Sequence, residues 1–294
     1  MPTMRLKNPF DWAYSKFIII IAVIIDKYSK KQHLIFVFFI LKQVMKIIIF
    51  CCTFMVFTAL NVKAQTTKNT EQINQLWFGY VNQLRFSNKW ELWTDVNLRT
   101  KNRFVNNFSV GIARLAITYY ISPSVKLRAG FAWIDYFPGD NHKNITQPEH
   151  RPWQQIQWQT KYKKNIMVQS LVLEERFRRK ILNDNELAKG YNFNYRVRYN
   201  LRFEMRLDKK ERTPGAFSLI AYDEIDINAG REIVNNYFDQ NRFYAGLKFQ
   251  TGISTNVQLG YLNIFQQQSA GNQYKNIQLI RLFFYQNIDL RHNP

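Results

Sequence analysis

The clearest pattern in the chain runs from Tyr191 to Leu207. Every odd position there is apolar or aromatic (Tyr191, Phe193, Tyr195, Val197, Tyr199, Leu201, Phe203, Met205, Leu207). Every even position is polar (Asn192, Asn194, Arg196, Arg198, Asn200, Arg202, Glu204, Arg206). An unbroken period of two over this length predicts a β-strand with one oily and one wet face. At about 3.3 Å per residue the strand runs to roughly 56 Å, far beyond the usual five or six residues of a soluble sheet.

The alternation recurs along the chain. Trp90, Leu92, Val96 and Leu98 alternate with Glu91, Asp95, Asn97 and Arg99, and Ser122-Pro123-Ser124 joins the run ending at Ile121 to the one starting at Val125. Ile156, Trp158 and Tyr162 oppose glutamines, Leu171, Leu173 and Phe177 oppose Glu174, Arg176 and Arg178, and the runs Phe217–Ala221, Phe243–Phe249 and Val257–Tyr261 continue the series. In the last run Ile277 and Leu279 share one parity while Leu282, Phe284 and Ile288 share the other, which predicts a bulge near Ile280 and Arg281. Tight turns at Ser87-Asn88, Ser122 to Ser124, Lys163 to Asn165 and Gly252 to Thr255 alternate with longer polar connections at Asp135 to Pro152, Arg179 to Gly190 and Asn228 to Gln240. Eleven strands are clear, and an even count places a twelfth in Thr66 to Asn74. The expected fold is all-β: an antiparallel up-and-down transmembrane β-barrel of about 12 strands (10–12).

The chain divides before the strands begin. Met45-Lys46, the apolar run Ile47 to Leu60 and the small residues around Val62 and Ala64 form a cleavable signal peptide over 45–64, with Gln65 as the mature N-terminus. The apolar runs here are too short to span a bilayer as helices. Residues 1–44 read as an upstream extension of a chain whose start is Met45, a second hydrophobic anchor being the alternative. The barrel domain is then 65–294.

Composition matters once the leader is set apart. The full chain has 41 Lys and Arg against 21 Asp and Glu; the leader holds nine basic and two acidic residues, leaving 32 and 19, a net +13. Both cysteines, Cys51 and Cys52, fall in the leader. A cysteine-free barrel domain excludes a disulfide scaffold, a cysteine zinc module, an iron–sulfur centre and a thiol nucleophile. Export, the missing cysteines and an apolar face rich in Tyr, Trp and Phe favour a lipid-facing outer surface. A soluble periplasmic β-sandwich, with the aromatic face inside, is the alternative.

Several short elements carry a family resemblance: Leu173-Glu174-Glu175-Arg176-Phe177, Tyr195-Arg196-Val197-Arg198-Tyr199, Tyr222-Asp223-Glu224, Asp239-Gln240-Asn241-Arg242 with Gly246, and Leu259-Gly260-Tyr261. In this order, over most of Leu76 to Leu290, the chain resembles the domain-of-unknown-function 2490 family. The resemblance implies an exported bacterial barrel of the Gram-negative outer membrane and no particular activity. Ser170 and Val172 depart from the basic or polar residues of that pattern.

By parity Glu174, Arg176, Arg178, Arg196, Arg198, Arg202, Glu204, Tyr222, Glu224, Arg242 and Tyr244 face the lumen. A paired network is the expected arrangement, Arg196 facing Glu174, because unpaired charge in a confined space is costly. A charged constriction or ligand site is the competing reading. The barrel domain has three histidines, His142, His150 and His292. No serine accompanies the two in the Asp135 to Pro152 loop, and their spacing fits no helical metal motif. The expectation is therefore no catalytic, cofactor-binding or metal residues and no cofactor. The protein reads as an outer-membrane barrel, structural or a narrow, mildly anion-preferring pore; a lipid-modifying enzyme with its site near Asp135 to Pro152 is the alternative. Expected partners are outer-membrane lipids, lipopolysaccharide and the outer-membrane assembly machinery. Segregation of arginines from aromatics argues against nucleic acid.

Overall fold

The computed structural model describes residues 68–101, 107–139, 143–208 and 213–291. Residues 1–44, the expected signal peptide over 45–64, Gln65, His142 and His292 lie outside the described residues.

The strands are β1 (Asn69–Arg85), β2 (Trp90–Thr100), β3 (Phe108–Tyr120), β4 (Val125–Tyr136), β5 (Gln147–Tyr162), β6 (Asn165–Asn183), β7 (Glu186–Arg206), β8 (Phe217–Ala229), β9 (Phe238–Gln250), β10 (Thr255–Gln267) and β11 (Gln273–Asp289). Each pairs antiparallel with its chain neighbour, and β1 closes the barrel against β11 in parallel. An odd count leaves no other way to close an up-and-down sheet. The seam runs unbroken from Asn69↔Gln273 to Arg85↔Asp289.

The strand count of eleven falls within the expected range, with a difference at the start. Asn69 to Asn74 form the first part of β1 rather than a separate strand, because β11 is long enough to pair all of it. The start of β1 and the end of β11 therefore lie on opposite rims. The upper rim carries the connections β2–β3, β4–β5, β6–β7, β8–β9 and β10–β11; the lower rim carries the others. Turn lengths follow the expected alternation only in part. Residues 184–185 turn in two residues on the upper rim, while 207–216 make a ten-residue connection on the lower one.

Two expected loops are strand in part, Asp135 to Pro152 at its ends and Arg179 to Gly190 over all but two residues. Gln147 to Pro152 belong to β5, and the ladder to β6 is interrupted only between His150↔Phe177 and Trp153↔Glu174, where Pro152 lacks an N–H. Arg179 to Gly190 form the protruding β6–β7 hairpin, with register shifts at Arg179/Ile181 and Ile181/Asn183. The expected bulge near Ile280 and Arg281 is absent, both ladders of β11 being continuous there. Ile277, Leu279 and Phe283 simply point inward.

That reversal reflects the lumen's composition. Inward side chains of β1–β4, β10 and β11 form an apolar core that includes Trp77, Val81, Ala132, Leu262, Leu279 and Phe283. Trp93 from β2 meets Trp153 from β5 edge-on, centroids 5.6 Å apart. Small residues make room: Gly130 lies where a Cβ would come within 2.4 Å of the Leu115 carbonyl oxygen and 2.5 Å of the Ala116 Cβ. The outward parity of the strands is largely aromatic and aliphatic and is exposed, as at Leu171, Tyr199, Leu247 and Leu259.

Candidate functional site

The charged half of the lumen is built by β5 to β9, because the even-parity residues of β6, β7 and β8 and the odd-parity residues of β5 point into it. Glu149 is fully buried; its carboxylate accepts from Arg176 Nε at 3.1 Å and Arg178 Nε at 2.7 Å, and pairs closely with Arg151. Arg151 reaches on to Glu174 at 2.9 Å. Glu174 also accepts from Arg198 at 2.7 Å, and Arg198 donates to Glu224 at 3.1 Å. Arg242 joins Glu224 at 3.0 Å and Asp226 at 3.7 Å. Arg196 pairs closely with Asp239 and lies 3.9 Å from both Glu174 and Asp226.

One continuous network thus holds six arginines (151, 176, 178, 196, 198, 242) and five carboxylates (149, 174, 224, 226, 239). Most of its members are buried. In a confined site each ion needs a partner, since a buried charge left alone costs several kcal/mol. Interlocking placement over five strands gives most of them two or more.

The structure brings together Glu174, Arg176, Arg178, Arg196, Arg198, Glu224 and Arg242. It sets Arg202 and Glu204 apart: Glu204 accepts from Arg202 at 2.8 Å and from Lys248 at 2.7 Å, nearer the lower rim. Arg196 stands opposite Glu174 in the ladder, but the close partners of Glu174 are Arg151 and Arg198. The reason is a bulge in β9. Asp226 pairs with Gln240 and Ile227 with Phe238, so Asp239 is the extra residue and turns inward beside Gln240, where it captures Arg196. Strict parity would have put Asp239 outside. Tyr222 and Tyr244 stack in the lumen, centroids 4.9 Å apart.

Sequence reasoning also missed Glu149 and Arg151, which it placed in a loop; the Gln-x-Glu-x-Arg alternation of 147, 149 and 151 was the available signal. His150 lies on the outer face of β5 between the rings of Phe131 and Tyr191, at 6.0 and 6.1 Å, away from the ion-pair network. A further inward cluster sits on β2 to β4, where Glu91 holds Arg128 at 3.1 Å and accepts from Thr118 at 3.2 Å, and Asp95 holds Arg114 at 2.9 Å.

Two cavities lie in the lumen among the described residues. The upper one, about 530 Å³, has eleven Arg and Lys residues and three Glu among the described residues of its lining. The lower one is about 320 Å³. Arg114, Trp153, Glu174, Arg198, Tyr222, Glu224 and Arg281 line both and mark the belt between them. Among the described residues no group of three or more His, Cys, Asp or Glu is placed to hold a metal ion.

A family model described as a protein of unknown function, DUF2490, matches residues 74–275. The chain belongs to DUF2490. The match starts within β1 and ends within β11, so the whole ion-pair network of this DUF2490 protein lies inside the family's span. An uncharacterized protein of Methylorubrum extorquens is 26% identical over 230 residues, 75% of this chain and 91% of that one. No solved structure matches the DUF2490 chain.

Proposed function

We propose that this DUF2490 protein is an outer-membrane β-barrel, non-enzymatic, whose lumen is a narrow, anion-preferring passage. The observation that carries this reading is the outer surface. Aromatic side chains cluster toward both rims, Trp90 on Tyr119 and Phe217 on Phe249 below, Phe131 on Trp133 and Phe177 on Phe193 above. Between them the exposed residues are mostly aliphatic, among them Leu115, Leu171, Leu173, Val197, Leu201 and Leu247. An apolar band between two aromatic girdles is what a barrel presents to lipid. Closure of the sheet supports the same reading, since every strand edge is paired and lipid offers no partner for a free one. On β10, β11 and β1 the band gives way above to a hydrogen-bonded row, Asn263 to Asn276 at 2.7 Å and Asn276 to Gln72 at 2.9 Å, suited to an interface with polar headgroups.

In this setting the matched charges inside serve as polar filling that holds the wall, and the cationic excess of the upper cavity favours anions. Outer-membrane lipids and lipopolysaccharide would contact the band, and the outer-membrane assembly machinery would insert it. The test is membrane assembly of two arginine variants. Tyr199→Arg puts a cation on the outer band, whereas Asn200→Arg puts it in the lumen one residue away. A loss of about 2–4 kcal/mol is expected for a cation at the bilayer midplane. Heat-modifiable gel mobility of outer-membrane fractions should be lost for Tyr199→Arg and kept for Asn200→Arg; equal behaviour would contradict the proposed orientation.

A further inference from the structure

The parallel seam carries two arginines that the ion-pair network does not use. Trp77 of β1 stands opposite Arg99 of β2 on one side and Arg281 of β11 on the other, all three pointing inward at one height. The Arg99 guanidinium lies 3.7 Å from the Trp77 ring centre, and the Arg281 guanidinium lies 3.6 Å from that of Phe283. Arg281 also donates to the Tyr285 hydroxyl at 2.7 Å. Neither arginine has a carboxylate within 4.0 Å among the described residues, although ten other basic side chains of the strands do. The Arg99 Nε is buried without a hydrogen-bond partner.

Stacking on aromatic rings holds a guanidinium plane in place while leaving its edge free to bind. The backing is itself built in. Phe283 lies flat across Gly79, where a Cβ would sit 2.3 Å from the ring. Both arginines open into the upper cavity of about 530 Å³. Four residues up the seam, Ile73, Ile277 and Ile264 form a cross-strand row in the same cavity wall, roughly 13 Å away at about 3.3 Å per residue. Two forked donors at one end and an aliphatic wall at the other define a ligand with an anionic head and an apolar body.

We propose that the Arg99–Trp77–Arg281 row is a binding site for a small amphipathic carboxylate, its head shared by the two guanidinium groups and its body lying toward the Ile73–Ile277–Ile264 row. A planar carboxylate matches the guanidinium fork in two parallel hydrogen bonds. The site follows from the lumen's geometry, so it stands whether or not the barrel conducts.

The test is calorimetric titration of the full barrel, refolded in non-ionic detergent, with phenylacetate, and with 2-phenylethanol as a neutral counterpart of similar shape. Phenylacetate should bind saturably at one site, and 2-phenylethanol should not. Arg99→Gln and Arg281→Gln should each weaken phenylacetate binding about tenfold, since each removes charge-assisted hydrogen bonds, and the double variant should abolish it. Gly79→Ala supplies a route that removes no charge: by displacing Phe283 it unseats Arg281 and should also weaken binding. Each variant is first shown to be folded by heat-modifiable mobility. Absence of saturable phenylacetate binding to the native barrel, equal binding by the double variant, or equal saturable binding of 2-phenylethanol would each overturn the proposal.

Discussion

Glu174→Gln is the sharpest probe of the charged half of the lumen. Glu174 is 3% exposed and accepts from Arg151 at 2.9 Å and Arg198 at 2.7 Å. Gln keeps the shape and removes the charge, taking the network from six cations and five anions to six and four. Breaking a buried pair costs about 3–5 kcal/mol when its partner is left alone. Here Arg151 keeps Glu149, and Arg198 keeps Glu224 at 3.1 Å and Asp226 at 3.7 Å, so the loss should fall near the lower end, about 3 kcal/mol. Urea unfolding in detergent, followed by tryptophan fluorescence, reads it. Double-mutant cycles then rank the partners: Glu174 with Arg198→Gln should show a coupling in the upper part of the roughly 0.5–3 kcal/mol range, and Glu174 with Arg196→Gln should lie near its bottom, the separation there being 3.9 Å. An unchanged midpoint for Glu174→Gln, or equal couplings to Arg196 and Arg198, would refute the reasoning.

Other outcomes follow from the same geometry. Gly130→Ala should lower the unfolding midpoint by an amount worth about 1–3 kcal/mol, because its Cβ meets the Leu115 carbonyl oxygen and the Ala116 side chain at 2.4 and 2.5 Å; an unchanged midpoint counts against the inward packing. In planar bilayers under a salt gradient, the reversal potential should show anion preference, and a cation-selective current would contradict the reading of the upper cavity. Sequencing the envelope-extracted protein should give Gln65 as its first residue, whereas a retained Met1 or Met45 would remove the signal peptide.

The strands were legible because a sheet with one polar and one apolar face writes its period directly into the sequence, as from Tyr191 to Leu207. The same rule pointed seven of the nine charged residues it assigned to the lumen into one network. It failed where a single residue breaks the period: the β9 bulge at Asp239 turns a nominally outward carboxylate inward and takes Arg196 from Glu174. It also failed where inward residues are apolar. Ile277, Leu279 and Phe283 mimic a change of face on β11 because they fill the lumen rather than the outer surface. Prolines and histidines around Glu149 and Arg151 resembled loop signals, yet Pro148 and Pro152 sit on the outward parity of a strand whose inward residues carry the ion pairs. The odd strand number was legible, eleven strands being clear in the sequence, and the rule of even counts wrongly added a twelfth at Thr66 to Asn74. Closure by a parallel seam depends on the length of β11 relative to β1, a long-range fit with no local signature.

The central claim is that the odd-parity face of β7 meets lipid while the even-parity face lines the lumen. Residues 65–294 contain no cysteine, so single spin labels can be placed at each position from Phe193 to Met205 without background. In protein reconstituted into phospholipid vesicles, collisional relaxation by oxygen, which concentrates in the acyl region, should be high at positions 193 to 205 of odd number and low at the even ones between them. Oxygen accessibility that is highest at the even positions, or shows no period of two, would contradict the account.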